Sequence, residues 1–172
     1  YGEFADTVRD VRGEVAARAL LSRRNDMRHI AVEVLPSHIG KDNNIWKITS
    51  GGIDIDSTRI AVDQFRVYNA VEGQDLIVDG VASRQSADSL QLVLKNFELT
   101  PFVQFATQIG YQIEGRTSGY VTVHSALRDA SINAAVDLDS IYINTLPIDN
   151  LKLSSRWDFG RSRAKLSVAT AK

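Results

Sequence analysis

Apolar and polar residues alternate along most of this 172-residue chain. Within the segment from Ser89 to Ser125, Leu90, Leu92 and Leu94 show the period of two that is typical of a β-strand with one apolar face. The same period recurs along the chain in roughly ten to twelve segments, which are separated mostly by short turns. This pattern predicts a mainly β protein built as an antiparallel meander.

One segment has a helical period instead. Thr100 is a candidate N-cap, Pro101 suits the first helical position, and Gly110 is a typical C-terminal stop. The sequence therefore predicts one short helix over about residues 100–109. We expect this helix to pack on the apolar face of the sheet, either as a plug at its end or as part of the core. Its apolar stripe contains Phe102, Phe105 and Ile109.

Several local patterns give more specific predictions. Residues 13–24 fit a helix by propensity but also alternate, and the β-rich remainder favours a strand. The run Ser50-Gly51-Gly52 predicts a hairpin loop between two short strands. The alternation slips by one residue near Asp63, which predicts a β-bulge. The strand pattern continues through Asp79-Gly80 although that dipeptide is a turn signal.

Composition and charge exclude several classes of protein. A content of 44% hydrophobic residues is enough for one domain, which we expect to span residues 1–172. Twenty basic and twenty-one acidic residues are interspersed, so no basic field is available for a nucleic acid. No apolar run approaches the roughly 20 residues of a membrane-spanning helix. We expect this chain to be a segment of a larger protein. We also expect its residues 1–4 to include cloning remnants.

Residues with catalytic or metal-binding potential do not form recognisable motifs. His29, His38 and His124 lack a metal-ligand spacing and have no cysteine companions. Ser37 precedes His38 without the glycines of a nucleophile elbow. The pairs Asp54/Asp56 and Asp137/Asp139 are interpreted as parts of a solvated strand face. We therefore predict no enzyme activity, no catalytic or metal residues and no cofactor.

The aliphatic faces of the strands have two interpretations on pattern alone. Two sheets could pack these faces together as a β-sandwich, or one long curved sheet could leave them open as a groove. The alternation is the same in both cases. Periodicity therefore leaves the choice open.

The order of these segments resembles a known family. Segments such as IWKITSGGIDID, LQLVLKNFELTPF, GRTSGYVTV and VDLDSIYINTLPIDNLKLSSRWD together resemble the C-terminal region of TamB, the translocation and assembly module subunit, in the form found in Bacteroidetes-like bacteria. The resemblance covers the chain from about Gly13 to its end. It implies a β-taco, which is a long sheet folded lengthwise around a hydrophobic groove, as in the AsmA-like and bridge-like lipid-transfer proteins.

The family also implies a place in the cell and partners. Its members are anchored in the inner membrane of Gram-negative bacteria and reach through the periplasm toward an outer-membrane β-barrel, TamA or a related protein. This chain would be a periplasmic portion, with membrane contact made by parts outside it. Two roles are attached to the family: moving phospholipid toward the outer membrane, and assisting the assembly of outer-membrane proteins.

The first hypothesis is accordingly a groove that carries phospholipid acyl chains between the membranes and supports outer-membrane biogenesis. The second is a scaffold that assembles outer-membrane β-barrel proteins by pairing at an open sheet edge, for which the strand near Arg161–Thr170 is a candidate. A carbohydrate- or adhesin-like sandwich is a more distant third. The predicted groove lining consists of Ile30, Val32, Val34, Ile53, Ile55, Leu76, Val78, Leu90, Leu92, Leu94, Val121, Val123, Ile132, Val136, Leu138, Leu151, Leu153, Leu166 and Val168.

Overall fold

Fifteen β-strands make up the secondary structure of the described residues, which are 2–6, 11–24, 27–41, 44–99, 110–148 and 150–170 of a computed structural model. The predicted helix at 100–109, with Phe102, Phe105 and Ile109, lies outside them. The strands are β1 (Gly2–Asp6), β2 (Val11–Val15), β3 (Ala17–Arg24), β4 (Met27–Val34), β5 (Ser37–Lys41), β6 (Asn44–Ile48), β7 (Gly51–Ile55), β8 (Arg59–Asn69), β9 (Gln74–Ser83), β10 (Ser89–Glu98), β11 (Ile113–His124), β12 (Ser131–Ile143), β13 (Leu146–Ile148), β14 (Leu151–Asp158) and β15 (Arg163–Thr170).

All of these strands belong to one curved, unclosed antiparallel sheet. The main path runs β1-β2-β5-β6-β8-β9-β10-β11-β12-β14-β15, and β13 pairs with the end of β12. A side branch, β3-β4-β7, joins β8. The prediction of a mainly β, antiparallel meander is confirmed, and residues 13–24 are strand rather than helix.

The side branch arises because three long strands are each interrupted once. The break between β4 and β5 falls at Pro36, which has no N–H for the sheet ladder. Pairing with the next strand keeps one register across it, since Val34 pairs with Gly51 and Ser37 with Ile48. Hence β4 and β5 are two parts of one strand, and so are β6 and β7. The third interrupted strand consists of β2 and β3, which Ala16 separates.

The predicted hairpin at Ser50-Gly51-Gly52 is therefore wrong. The strands on either side of it, β6 and β7, do not pair with each other but follow one another along β8. Gly51 lies inside this long strand, where a Cβ would come within 3.1 Å of the Asp63 carbonyl oxygen. Glycine is favoured at residue 51 because the bulged strand β8 approaches closely, not because the chain turns there.

Bulges bend the sheet at three places. The register shifts between Val62 and Phe65, which confirms the predicted bulge near Asp63, and further shifts lie at 94–97 and 114–116. In each bulge one strand has a non-glycine residue with positive φ: Gln64 on β8, Asn96 on β10, and Ser140 on β12, opposite residues 114–116 of β11. A bulge kinks its strand and increases the local twist. The three bulges thus give this long sheet a physical reason to curve.

Each of these three strained residues is held by a side chain across the bulge. The backbone N–H of Gln64 donates to Asp79 Oδ1 at 2.9 Å. That of Asn96 donates to Ser118 Oγ at 2.9 Å, and that of Ser140 donates to Asn150 Oδ1 at 3.1 Å. The side chains satisfy N–H groups that the bulge removes from the ladder, which stabilises the bends.

Little of the chain is enclosed. The accessible surface is 11955 Å², whereas a compact protein of 19.0 kDa exposes about 8,400 Å². Among the described residues, the buried apolar side chains are those of Ala16, Val34, Ala82, Leu94 and Ile141. Contacts between strands follow the order of the sheet. The described residues thus form a single layer and not a sandwich.

Candidate functional site

The pairing register places all nineteen residues of the predicted lining on one face of the sheet. Residues directly opposite each other in neighbouring strands share a face, as do alternate residues within a strand. Leu92, for example, lies between Val78 of β9 and Val121 of β11. We call this face the aliphatic face and the opposite one the polar face.

A single row of side chains shows how far the aliphatic face extends. Beginning at β3 and ending at β15, cross-strand partners follow one another over ten strands, a distance of about 43 Å in a flat sheet. All but the glycine are apolar. The row consists of Ala19, Val32, Ile53, Val62, Gly80, Leu90, Val123, Ile132, Trp157 and Ala164.

Exposure varies along this face. Val34 and Leu94 are buried, each at 9% exposure, whereas Leu166 and Val168 on β15 are 65% and 58% exposed. The other fifteen predicted residues have intermediate exposure. Such partial shelter comes from neighbouring strands and from curvature, because the described residues contain no second layer over the face.

The face is most sheltered along the margin where β8 turns into β9, which we call the closed margin. Trp46 of β6 packs against Phe97 of β10, with ring centroids 5.3 Å apart. In a flat sheet these strands lie about 14 Å apart, because β8 and β9 separate them, and side chains stand roughly upright on a sheet. The sheet therefore curves toward its aliphatic face here.

Polar residues complete the closed margin. Asn69 is 0% exposed; its Nδ2 donates to Asn44 Oδ1, and its Oδ1 accepts from the N–H groups of Val71 and Glu72. Arg116 of β11 donates to the Glu72 carboxylate at 3.3 Å. These bonds fasten the β8–β9 turn to distant strands, which stabilises the bend.

Sequence reasoning missed part of the aliphatic face. Four residues of β8 also lie on it: Ile60, Val62, Phe65 and Val67. Of these, Phe65 pairs with Val78 of β9 and Val67 pairs with Leu76. The spacing of three between Val62 and Phe65 interrupts the alternation and hides the face that these residues share. The bulge at 63–64 returns the two parts of β8 to one face of the sheet. The bulge predicted near Asp63 is therefore the sequence signal that could have found these residues. Trp157 and Ala19 were also missed.

The strand order of the sheet ends at β14 and β15, where the aliphatic face is open to solvent. Among the strands that the structure describes, β15 pairs with β14 alone, and all eight residues of β15 are exposed. Its aliphatic-face residues Leu166 and Val168 lack a neighbour on one side. The aliphatic face therefore reaches an unpaired strand edge, which we call the open edge.

On the polar face, a hydrogen-bonded chain that sequence reasoning missed links three strands. His29 Nε2 lies 2.7 Å from Asp54 Oδ1, and His29 Nδ1 lies 3.2 Å from Ser22 Oγ. Because a carboxylate only accepts, Nε2 donates to it, and Nδ1 shares the second hydrogen bond with the Ser22 hydroxyl. The imidazole is 5% exposed with both nitrogens engaged, so this chain ties β3, β4 and β7 together.

The predicted acidic pairs are engaged in local contacts. Asp56 accepts from the Thr58 hydroxyl at 2.6 Å, and this bond is the largest cause that holds the Asp56 pKa below its ordinary value. Asp137 lies 4.0 Å from Lys152 Nζ. Within the described ranges, no three acidic or histidine side chains are arranged to hold a metal ion. Nor does that part of the chain contain a helix that could cross a membrane.

Over the described residues, the fold and this site define a class: one curved, unclosed antiparallel β-sheet with one continuous aliphatic face. Comparison with protein-family models finds no match. Comparisons with curated proteins and with solved structures find none either.

Proposed function

We propose that the aliphatic face binds the acyl chains of phospholipids and guides them along the sheet, as a segment of a TamB-like protein. The single observation that carries this proposal is the ten-strand row of side chains, over which the described residues place no second layer. A soluble protein does not usually leave so long an apolar face uncovered unless a ligand or partner occupies it.

The physical chemistry of the face suits a sliding ligand. Burial of apolar surface yields about 0.8 kcal/mol per methylene, so ten methylenes contribute about 8 kcal/mol before the costs of binding. The contacts are non-directional and similar from strand to strand, since the row consists of Val, Ile, Leu and Ala with one Trp and one Gly. An acyl chain therefore meets no single deep trap along the sheet, while its charged head group stays in water at the open side.

In this proposal the chain works within a larger, inner-membrane-anchored protein of the periplasm. Its partners are phospholipid acyl chains and a TamA-like or other outer-membrane β-barrel, and not a nucleic acid. The resemblance in the order of segments supports this setting. The proposed transport needs neither a catalytic residue nor a cofactor.

The experiment compares the two faces at one position of the sheet. Leu92 and Val121 are directly opposite each other on the aliphatic face, and Gln91 and Thr122 are the adjacent opposed pair on the polar face. The variant Leu92→Asp/Val121→Arg adds a charge pair to the first face, and Gln91→Asp/Thr122→Arg adds the same pair to the second. Phospholipid that co-purifies is measured by native mass spectrometry.

We expect the aliphatic-face variant to lose most of its bound phospholipid and the polar-face variant to retain it. Circular dichroism and thermal unfolding verify that both variants fold. Equal lipid content in two folded variants would contradict the proposal, because it would show that binding does not depend on this face.

A second function is favoured by the open edge. We propose as the alternative that β15 pairs with extended segments of outer-membrane β-barrel proteins and so assists their assembly. Its unpaired N–H and C=O groups are a template for another strand. In this case Leu166→Pro weakens binding of a partner segment and leaves phospholipid loading intact. Loss of lipid with unchanged partner binding would favour the acyl-chain function instead.

A further inference from the structure

The polar face carries a trough that lies across β11, β12, β14 and β15, on the side of the sheet away from the aliphatic face. Two adjoining cavities of about 340 Å³ and 400 Å³ form it. Volumes of this order suit small-molecule ligands. The two cavities share a lining of Tyr120, Ala135, Ser154 and Ser167.

The strand register explains the shape of this trough. Its four shared residues form one cross-strand row, since Tyr120 pairs with Ala135, Ala135 with Ser154, and Ser154 with Ser167. Three small side chains therefore make a low floor beside the larger ring of Tyr120, which is 46% exposed. The floor offers two hydroxyl groups for hydrogen bonds.

Two cations lie at the rim of this trough with no anion to balance them. Arg156 and Lys165 are directly opposite each other on β14 and β15. Like charges in such a pair destabilise a sheet. Arg156 Nε donates to the neutral Asn133 Oδ1 at 3.1 Å, and neither cation forms an ion pair within the described part of the chain.

Two carboxylates on this face are paired with other cations. Asp158 accepts from the backbone N–H of Arg161 at 3.0 Å and lies 3.7 Å from its Nε. Asp137 lines the second cavity, where it lies 4.0 Å from Nζ of Lys152, which lines the same cavity. The juxtaposition of Arg156 and Lys165 therefore has a cost in the free protein that a bound anion would remove.

We infer that this trough is a binding site for an anion carried on a hydroxylated body, such as a sugar phosphate. Arg156 and Lys165 hold the anionic group through charge-assisted hydrogen bonds. The hydroxyls of Ser154 and Ser167 and the amide of Asn133 bind the hydroxyl groups of the ligand, and the ring of Tyr120 packs against its carbon skeleton. The site lies on the polar face and does not depend on the acyl-chain proposal.

The test is a titration with inorganic phosphate, glucose 6-phosphate and glucose, followed by amide chemical shifts of residues 150–170. We expect saturable binding of both phosphates at low salt, tighter for glucose 6-phosphate, and none of glucose. Lys165→Gln is expected to weaken the binding of glucose 6-phosphate about tenfold. The matched control is Lys95→Gln, which removes a cation from the polar face of β10 and is expected to change nothing.

A second experiment distinguishes a lipid head group from a soluble anion as the ligand of this site. Vesicles of phosphatidylglycerol and of phosphatidylcholine are offered to the same variants. Binding to phosphatidylglycerol alone that Lys165→Gln abolishes would assign the site to a lipid head group, and binding of glucose 6-phosphate without vesicles would assign it to a soluble anion. Equal affinities for glucose 6-phosphate in the Lys165→Gln and Lys95→Gln variants, or no saturable phosphate binding in the parent protein, would overturn the inference.

Discussion

The closed margin and the open edge show what one alternating pattern does in two surroundings. Each has a tryptophan on the aliphatic face. Trp46 packs against Phe97 from a strand three places away, whereas Trp157 lies against Phe159 of its own chain segment and remains 44% exposed. The alternation thus decides which face a residue lies on, while the curvature of the sheet decides how far it is covered.

The bulges account for much of this difference. Registers between β8 and β9, β10 and β11, and β11 and β12 each shift once. Pairing of β14 with β12 and with β15 proceeds without a shift. The register shifts therefore lie between β8 and β12, whereas the ladder at the open edge is regular.

The largest expected effect comes from exchanging the two tryptophans for alanine. Trp46→Ala removes a ring that packs across the sheet and is expected to cost about 3 kcal/mol of unfolding free energy. Trp157→Ala is expected to cost at most about 1 kcal/mol, because its ring is largely solvated. Urea unfolding of both variants measures the difference. Equal costs would show that the closed margin is not a packed region.

A smaller loss is expected from the enclosed amide of the closed margin. Asn69→Ala leaves the N–H groups of Val71 and Glu72 without their acceptor and is expected to cost about 2 kcal/mol. Asn133→Ala, at a partly exposed asparagine of β12, serves as the control. If both substitutions lowered the urea midpoint equally, the burial of Asn69 would have no energetic role.

The side chains that hold the bulges allow a finer comparison. Ser118→Ala removes the partly buried acceptor of the Asn96 N–H and is expected to cost about 1 kcal/mol. Asn150→Ala removes an exposed acceptor, whose N–H donor water then satisfies, and is expected to cost only a few tenths of that. Thermal unfolding ranks the two variants. The reverse order would show that burial does not make the Asn96–Ser118 bond the stronger of the two.

The smallest effect is a pH dependence at the β7–β8 turn. Because the folded pKa of Asp56 lies below its value of 3.8 in a model peptide, its contribution to stability is present above that pH and is lost as pH falls through the folded pKa. We expect Thr58→Val to raise the Asp56 pKa toward 3.8, as followed by carboxyl carbon shifts in NMR. An unchanged titration would exclude the Thr58 hydroxyl as the main cause.

Sequence patterns predicted the strands and the shared face of the nineteen lining residues well, because alternation is a local property. They failed at Gly51, where the close approach of β8 and not a turn favours glycine. They also could not reveal the contact of Trp46 with Phe97 or the opposition of Arg156 and Lys165. Those features depend on register and curvature, which involve residues far apart in the chain.

The most direct test of the central claim asks which face an acyl chain contacts. The chain has no cysteine, so Val121→Cys and Thr122→Cys each introduce a unique site for a fluorophore, one on each face. Phospholipid with bromine on its acyl chains is expected to quench the fluorophore at residue 121 and to leave that at residue 122 as bright as with unbrominated lipid. Equal quenching at both sites, or no quenching at residue 121, would contradict the account.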